Sequence, residues 1–573
     1  MDYLFDALEG MDFTLLYGAV LRYIFPILAV IVLGRCAKSL LTFRREAEIW
    51  AWLRLPTGDR LPVTHWESLI GRGKNCDISV DYPTVSRTHA VLTRYDDGSW
   101  SIGDVGSKGG VEVGRRPVPF CAVSYGDVIS LGGVDLHLLP VTEEEQSRQT
   151  SNRTRPGRNI KPSVTLFYLT LFQLLTALQL LLVVDPEEVS QVIISFGGLA
   201  VLEWALFWSM RAFRRTGYEV ETIAFFLTTL GLAVIASSAP SELIKQLISA
   251  FMGLAAYLCI GWSLRDLERA KRVRYLASAL GIGLLLLNLA FGSEQYGAKN
   301  WIYIGGVSFQ PSEVVKLCFI FAGASTLDRL MAKRNLLLFI AYSGIICACL
   351  ALMNDFGTAL IFFTAFLVIA YLRSGDFATL ALICAGTGFA GILALRFRPY
   401  VLRRFAAWGH IWEDPLGTGF QQTRSLMCLA SGGLFGLGAG QGWLKYVAAA
   451  DTDLVFAMVA EEWGLLIAVI TVLAIVCLCV FVVRSAPVGR SSFYTIGACA
   501  AATILLVQTL LNVFGTIDFV PLTGVTFPFI SNGGSSMISS WGLLAFLKAA
   551  DTRQNASFAI RLPGRHQTEE ATT

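Results

Sequence analysis

Long apolar runs separated by short polar stretches fill most of the chain from residue 165 onward, and a further run covers residues 13–33. A stretch of about 20 apolar residues is long enough to cross a bilayer as a helix. The pattern therefore predicts about thirteen transmembrane helices. The twelve later runs are 165–184, 190–210, 221–237, 243–262, 274–291, 312–328, 335–353, 356–373, 377–395, 456–483, 493–514 and 530–549.

Residues 45–140 follow a different pattern. Short runs with strand-like composition, 63–69 and 90–95, alternate with turn signals such as Gly132-Gly133. This alternation predicts an all-β sandwich. The division of the chain that follows is an N-terminal transmembrane helix (1–44), the β domain (45–140), a polar linker (141–163), an additional transmembrane hairpin (164–212), a helical core (213–550) and a tail (551–573).

The composition agrees with a membrane protein, because 54% of the residues are hydrophobic and only 16% are charged, against about a quarter charged in soluble proteins. The formal net charge is +3 without a concentrated basic block, which argues against nucleic acid as a partner. The 12 cysteines lie mostly within apolar runs and the 5 histidines are scattered. We interpret the cysteines as membrane-buried side chains and expect no histidine metal site.

The charges of the loops predict the orientation. Acidic residues precede the first run and basic residues follow it, so we interpret it as a retained helix rather than a signal peptide. Basic residues then alternate with acidic ones from loop to loop as the positive-inside rule requires, which puts the β domain in the cytoplasm. Four arginines on a predicted outer segment are exceptions to the rule, and we expect them to have a functional role. They are Arg396, Arg398, Arg403 and Arg404.

Two polar segments at the predicted outer membrane edge combine charge with helix starts. Residues 301–316 carry Glu313 and Lys316, which are three positions apart and therefore share one helix face. A structural ion pair and direct substrate contact are equally open for this pair. In the second segment, 354–358, Asp355 is expected to cap the next helix.

Two longer segments contain most of the remaining polar residues. The loop 396–453 ends in Asp451-Thr452-Asp453, and a loop of this length in a compact domain is usually functional. The stretch 512–536 is rich in glycine, proline and serine and has a re-entrant appearance. Its polar backbone must line a cavity or be buried in protein.

Taken in this order, the segments around Gln310-Pro311-Ser312-Glu313, Asp451-Thr452-Asp453-Leu454 and Ser531-Asn532-Gly533-Gly534-Ser535 resemble the SEDS family, the RodA/FtsW group. The resemblance covers about residues 220–550, a ten-helix core, to which three helices are added. It implies a peptidoglycan glycosyltransferase that polymerises lipid II on the outer face of the cytoplasmic membrane. It also implies a class B penicillin-binding protein, a transpeptidase, as partner.

The resemblance carries the family's catalytic aspartate to Asp453, although the usual His-Thr-Asp-Phe begins here with Asp451. The usual Gln-Pro-Asp-Leu-Gly-Thr appears as residues 353–358 and lacks the proline. Taken alone, Asp453 would be interpreted as a helix N-cap. The candidate substrate-binding residues are Gln310, Ser312, Glu313, Lys316, Arg396, Arg398, Arg403, Arg404, Gln421 and Ser535.

Glycan polymerisation requires a base for the attacking sugar hydroxyl and positive charge for the diphosphate leaving group. We expect Asp453 to be the base, with a pKa raised by partial burial. Asp451 is expected to raise that pKa further or to bind a divalent cation. The four outer arginines or a divalent cation, Mg or Mn, are expected to neutralise the diphosphate. No organic cofactor is expected.

The β domain resembles a forkhead-associated (FHA) domain through Gly71-Arg72 and the segment 85–90. The resemblance assigns phosphothreonine contacts to Arg72, Ser86 and Arg87 and a structural role to His89. An arginine fork and a hydroxyl match the charge and acceptors of a phosphate. The usual asparagine of the Gly-Ser-x-Asn-Gly segment is Gly109 here, and Lys108 is the candidate to supply charge instead.

Alternatives remain open at this point. The β domain could be a sandwich that only packs against another surface. The whole protein could be a transporter of lipid-linked precursors, because ionisable residues and Gly/Pro breaks also fit alternating access. It could also be a non-catalytic scaffold that reads a phosphothreonine.

Overall fold

The computed structural model of the chain describes residues 13–42, 47–73, 76–95, 97–154, 160–295, 297–304, 307–324, 333–374, 407–553 and 555–559, with isolated positions between 377 and 405. Within these residues, ten helices are long and apolar enough to cross a membrane. The predicted run 377–395 and the arginines Arg396, Arg398, Arg403 and Arg404 lie mostly or wholly outside the described residues.

The helices follow the apolar runs closely, with ends that differ by a few residues. Pro162 and Pro311 each occupy a first-turn position, where the missing N–H costs no hydrogen bond. The helices are α1 (Phe13–Leu41), α2 (Glu143–Thr154), α3 (Pro162–Leu181), α4 (Val189–Ala212), α5 (Glu219–Ser238), α6 (Leu243–Leu264), α7 (Leu267–Phe291), α8 (Pro311–Gly323), α9 (Lys333–Leu352), α10 (Phe356–Ser374), α11 (Phe420–Gly432), α12 (Ala450–Asp453), α13 (Val455–Trp463), α14 (Leu465–Ser485), α15 (Ser492–Thr516) and α16 (Gly534–Ala549).

Helix α5 is the centre of the bundle, because almost its whole surface is buried. A Cβ at Gly231 would lie 2.7 Å from the Phe529 carbonyl oxygen and 2.8 Å from that of Ile530. The glycine therefore lets the backbone of the segment 517–533 reach this helix directly. Gly231 lies seven residues, about 10 Å, from the end of the helix at Ser238. The segment is thus re-entrant, as its composition predicted.

The β domain is a sandwich of two sheets, as predicted. One sheet has the strand order β2-β1-β11-β10-β7-β8 and the other β4-β3-β5-β6-β9, and buried side chains such as Leu53 and Ile102 fill the space between them. The strands are β1 (Ala51–Arg54), β2 (Arg60–Val63), β3 (Glu67–Gly71), β4 (Ile78–Ser79), β5 (Ala90–Arg94), β6 (Trp100–Asp104), β7 (Val111–Val113), β8 (Arg116–Pro117), β9 (Phe120–Val123), β10 (Val128–Leu131) and β11 (Val134–Leu139).

Several details of the sequence prediction were wrong. The run 456–483 is two helices, broken at Gly464, whose φ is +90° and whose added Cβ would lie 2.4 Å from the Leu434 carbonyl oxygen. The predicted strand 63–69 is divided between β2 and β3, and the linker contains α2. The loop 396–453, called the outer loop below because of its predicted position, contains α11. A small three-stranded sheet, β12 (Ser293–Gln295), β13 (Ala298–Ile304) and β14 (Val307–Phe309), precedes α8 and was not predicted.

The β domain docks on the end of α15 that is remote from the re-entrant segment. The Trp66 amide donates to the Arg490 carbonyl oxygen at 2.6 Å, and the Ser492 hydroxyl donates to the Glu67 carboxylate at 2.7 Å. Helix α15 has 25 residues and rises about 37 Å before it reaches Thr516. Because a bilayer core is about 30 Å thick, the β domain and the re-entrant segment lie at opposite membrane faces.

A cluster of buried charges joins the chain near its C-terminal end to α5. Arg553 contacts the carboxylates of Glu219, at 2.9 Å, and Asp551, at 2.7 Å. Lys548 contacts Glu221 at 2.9 Å. Buried charges need partners of this kind, so the cluster fixes the ends of α5 and α16 at the membrane face that carries the β domain.

Candidate functional site

The end of α15 and the re-entrant segment 517–533 hold the aspartate pair of the outer loop in place. The side-chain amide of Asn512 donates to the Asp453 carbonyl oxygen at 3.0 Å. The Ser531 hydroxyl donates to the Thr452 carbonyl oxygen at 2.6 Å. The Asn532 side chain donates to the Asp451 carboxylate at 2.7 Å. Each residue of the Asp-Thr-Asp sequence therefore has its own hydrogen bond to this region.

The Asp453 carboxylate lies beside Gly524. Gly524 has a φ of +68°, and a Cβ there would lie 3.3 Å from Asp453 Oδ2. Both the backbone conformation and the close approach favour glycine at this position. Asp453 is half-buried, at the end of α12. The N-cap of α13 is Leu454, without a side-chain cap, so the interpretation of Asp453 as the cap of this helix is wrong.

The segment around Asp355 packs against the same part of the re-entrant segment. The Asp355 carboxylate accepts from the Thr358 amide at 3.1 Å, which confirms that it caps α10. A Cβ at Gly357 would lie 2.8 Å from Val525 Cγ2 and 3.1 Å from the Thr523 carbonyl oxygen. The start of α10 therefore supports the backbone on either side of Gly524.

The first polar segment meets the start of α16. The backbone amide of Gln310 donates to the Ser535 hydroxyl at 3.1 Å, and the Ser539 hydroxyl donates to the Glu313 carbonyl oxygen at 3.0 Å. Lys316 and Glu313 form a buried ion pair of 2.7 Å. Both charges are thus satisfied within the protein, as the structural interpretation of the pair requires. The neighbouring Ser312 hydroxyl is buried and has no hydrogen-bond partner among the described residues.

One hydrogen bond within the outer loop, and one from the loop to the re-entrant segment, hold the loop beside the aspartate pair. The Gln421 side chain donates to the Ala448 carbonyl oxygen at 2.9 Å, directly before the turn at Ala449, whose φ is +60°. Gln421 therefore supports the turn that leads into α12. The Gly409 amide, five residues after the last of the four arginines, donates to the Asp518 carboxylate at 3.2 Å. Burial raises the pKa of Asp518, and the Gly409 hydrogen bond opposes this shift.

Two buried glutamates order the glycine-rich part of the loop. The Glu461 carboxylate accepts from the amides of Trp443 and Leu444, at 2.9 and 3.0 Å. The Glu462 carboxylate accepts from the Gly440 amide at 3.0 Å. These glutamates, like Asn512, Ser531 and Asn532, were not among the predicted site residues. The available signal was the presence of such polar residues within or beside apolar runs.

The edge of the β domain carries the residues predicted to bind phosphothreonine. Arg72, Arg87 and Lys108 are exposed, and the Lys108 amide donates to the half-buried Ser86 hydroxyl at 3.0 Å. His89 is buried, and its Nδ1 accepts from the Ser86 amide at 3.1 Å, in line with a structural role. The structure thus brings the backbones of Arg72 and Lys108 to Ser86 and leaves the three cationic side chains exposed at the same edge of the domain, an arrangement that suits a phosphate.

A further contact explains Gly71. A Cβ there would lie 2.4 Å from the Arg87 carbonyl oxygen. The Arg72 amide donates to the Ser86 carbonyl oxygen at 2.9 Å, so the two loops are joined backbone to backbone. Burial raises the pKa of the nearby Cys76 thiol, which reduces its reactivity.

The fold and these sites define a polytopic membrane protein. It has an inserted β-sandwich domain at one membrane face and, at the other, the Asp453 carboxylate, whose backbone is held by a hydrogen bond from Asn512. The chain belongs to the FtsW/RodA/SpoVE family, described as cell cycle proteins, whose model matches residues 220–556. The FHA-domain model matches residues 68–132. Helices α1, α3 and α4 precede the family match, so the expected three additional helices are confirmed.

The relatives agree with this assignment. The peptidoglycan glycosyltransferase RodA of Mycobacterium tuberculosis (strain ATCC 25618 / H37Rv) is 33% identical over 331 residues, which cover 53% of this chain and 69% of the relative. The probable peptidoglycan glycosyltransferase FtsW of Tolumonas auensis is 31% identical over 352 residues, covering 57% and 90%. In fold, the chain is similar to a solved chain from work on a peptidoglycan synthase complex (TM-score 0.50, 24% identity, 59% and 98% coverage).

Proposed function

We propose that this protein is a peptidoglycan glycosyltransferase that polymerises lipid II at the outer face of the cytoplasmic membrane. The proposal rests on the family and on one observation: the Asp453 carboxylate lies beside Gly524 while hydrogen bonds fix its own backbone. Relatives named peptidoglycan glycosyltransferases support the reaction class.

In the proposed reaction, Asp453 accepts the proton of the sugar hydroxyl that attacks the lipid-linked donor. A carboxylate held in a fixed position can act as a general base without reorganisation during the step. Gln310, Ser312, Gln421 and Ser535 are proposed to shape the surrounding surface. The Glu313–Lys316 pair would contribute by fixing the start of α8 against α16.

The diphosphate leaving group needs positive charge. We assign this role to Arg396, Arg398, Arg403 and Arg404, since the segment that follows them is joined to Asp518. A divalent cation, Mg or Mn, is the alternative source of charge. The described residues contain no cluster of three or more candidate metal-binding side chains, and no step is derived through a cation.

The proposed partners follow from the two membrane faces. At the outer face the partner is a class B penicillin-binding protein, which would cross-link the new glycan. In the cytoplasm, Arg72, Ser86, Arg87 and Lys108 would bind a protein phosphorylated on threonine by a serine/threonine kinase. The cytoplasmic position of the β domain is supported by the basic loops that lie on its side of the membrane.

The deciding experiment uses purified full-length protein and fluorescent lipid II in detergent, with and without a co-purified transpeptidase. Wild-type protein and the control Glu413→Gln, which changes an exposed carboxylate of the same outer loop, should make long glycan strands. Asp453→Ala and Asp453→Asn should make none. Elongation by the Asp453 variants would refute the role of this residue. Absence of polymer from the wild type under all conditions would favour the transporter or the scaffold.

A further inference from the structure

We propose that the protein binds an anionic phospholipid in a pocket between α4, α6 and the segment 555–559, at the membrane face that carries the β domain. The pocket has a volume of about 660 Å³, which lies within the range of about 300–1,000 Å³ typical of small-molecule sites. Helix α4 belongs to the additional hairpin that precedes the family match. The pocket therefore exists because this chain carries that hairpin.

The floor of the pocket is apolar and fixed. The Phe558 ring lies against Gly261, where a Cβ would be 2.6 Å from Phe558 Cδ2. The Arg215 guanidinium donates to the Ser557 carbonyl oxygen and so holds this segment on the end of α4. Met210 and Leu258 complete the apolar walls. Such a surface suits the glycerol and upper acyl carbons of a lipid.

The rim of the pocket is cationic. Arg214, Arg215 and Arg265 all line it, and Arg214 and Arg265 are exposed. A smaller cavity of about 290 Å³ adjoins it and adds Asp266 and Arg269. The Asp266 carboxylate is 4.0 Å from Arg269, so the acidic residue of this rim already faces a cation. The net charge of the rim residues is therefore positive and would attract a phosphodiester headgroup.

The conformation of Arg214 is a second observation. The residue has a φ of +55°, in the left-handed region that usually holds glycine after a helix. The Arg215 amide donates to the Met210 carbonyl oxygen at 2.8 Å, which closes the end of α4 in this conformation. This turn places the arginine on the rim of the pocket.

Aromatic side chains place the rim at the membrane surface. Trp262 is 62% exposed and Phe213 is 74% exposed. The Arg269 guanidinium lies 3.7 Å from the centre of the Trp262 ring. Exposed aromatic rings beside arginines at helix ends are typical of the headgroup region, where rings contact acyl chains and arginines contact phosphates. The occupant that matches both features is a lipid of the adjacent leaflet.

The test is native mass spectrometry of the full-length protein with dioleoyl-phosphatidylglycerol, with dioleoyl-phosphatidylcholine and with inorganic phosphate. We expect retained phosphatidylglycerol adducts, few phosphatidylcholine adducts and no displacement by phosphate. The double variant Arg214→Gln/Arg265→Gln should lose phosphatidylglycerol about tenfold. Trp262→Ala should weaken the adduct without a change of charge.

The matched control is Arg484→Gln, which removes another exposed arginine at the same membrane face, outside the pocket, where its guanidinium donates to the Leu41 carbonyl oxygen. It should keep the adducts, and a thermal melt should show that every variant is folded, since the altered side chains are exposed. The proposal is overturned if the double variant binds as much phosphatidylglycerol as Arg484→Gln. It is equally overturned if phosphatidylcholine binds as well, or if phosphate alone displaces the lipid.

Discussion

Replacing Asn512 with alanine should displace Asp453 without removing its carboxylate. Asn512 is buried on α15, and its amide donates to the carbonyl oxygens of Asp453, at 3.0 Å, and Val525, at 2.9 Å. The variant removes both hydrogen bonds from buried carbonyl groups. Each loss costs about 1–2 kcal/mol, so we expect a destabilisation of about 2–4 kcal/mol.

The effect on activity should be larger than the effect on substrate binding. A catalytic group that moves by about 1 Å can lose about a hundredfold in rate. We therefore expect at least a tenfold slower elongation of fluorescent lipid II, with the affinity for lipid II changed less than about threefold. Asn512→Asp has nearly the same shape but turns a donor into an acceptor that faces two carbonyl oxygens. It should be at least as slow.

Thr509→Val is the matched control, since Thr509 is buried on the same helix and its hydroxyl donates to the Leu505 carbonyl oxygen of that helix. It should elongate glycan within about twofold of the wild-type rate. A folded Asn512→Ala protein that works at the wild-type rate would refute the reasoning. Equal losses in both variants would mean that general destabilisation, and not the position of Asp453, controls the rate.

Three further changes test other parts of the structure. Gly524→Ala should lower the free energy of unfolding by about 1–2 kcal/mol, because a φ of +68° disfavours a side chain, and it should slow elongation. The control Gly283→Ala has open space at its Cβ and should leave elongation unchanged. Arg553→Leu should lower stability by about 3–5 kcal/mol in a thermal melt, since Glu219 and Asp551 lose a buried partner. The control Arg272→Gln changes an exposed arginine and should melt as the wild type. Arg72→Ala should weaken binding of a phosphothreonine peptide to the full-length protein at least tenfold in calorimetry, while Arg116→Ala, on the exposed strand β8, should not.

The membrane helices could be predicted from the sequence because spanning helices are defined by the length of apolar runs. The break at Gly464 could not, since it arises from a close approach to the Leu434 carbonyl oxygen. Such an approach joins residues that are far apart along the chain. The same limit applies to the three-stranded sheet before α8, whose strands have only 3 to 7 residues.

The candidate site was predictable in part. The family resemblance identified Asp453, and the cap at Asp355 followed from its position before an apolar run. The supporting side chains could not be assigned, because their roles depend on contacts across the fold. Asn512 is one of several polar residues in an apolar run, and only the folded chain brings its side-chain amide to the carbonyl oxygen of a residue 59 positions earlier.

We propose that phosphothreonine binding to the β domain regulates polymerisation, and helix α15 provides a physical route between the two sites. Strand β3 runs from Glu67, which accepts from Ser492 at the start of α15, to Gly71, directly before Arg72 at the phosphothreonine site. Near its other end, α15 carries Asn512, which holds Asp453. Two rigid elements and one contact thus connect the β domain to the carboxylate across the membrane. The helix can transmit a displacement between these two contacts, because regular hydrogen bonding makes it stiff along its axis.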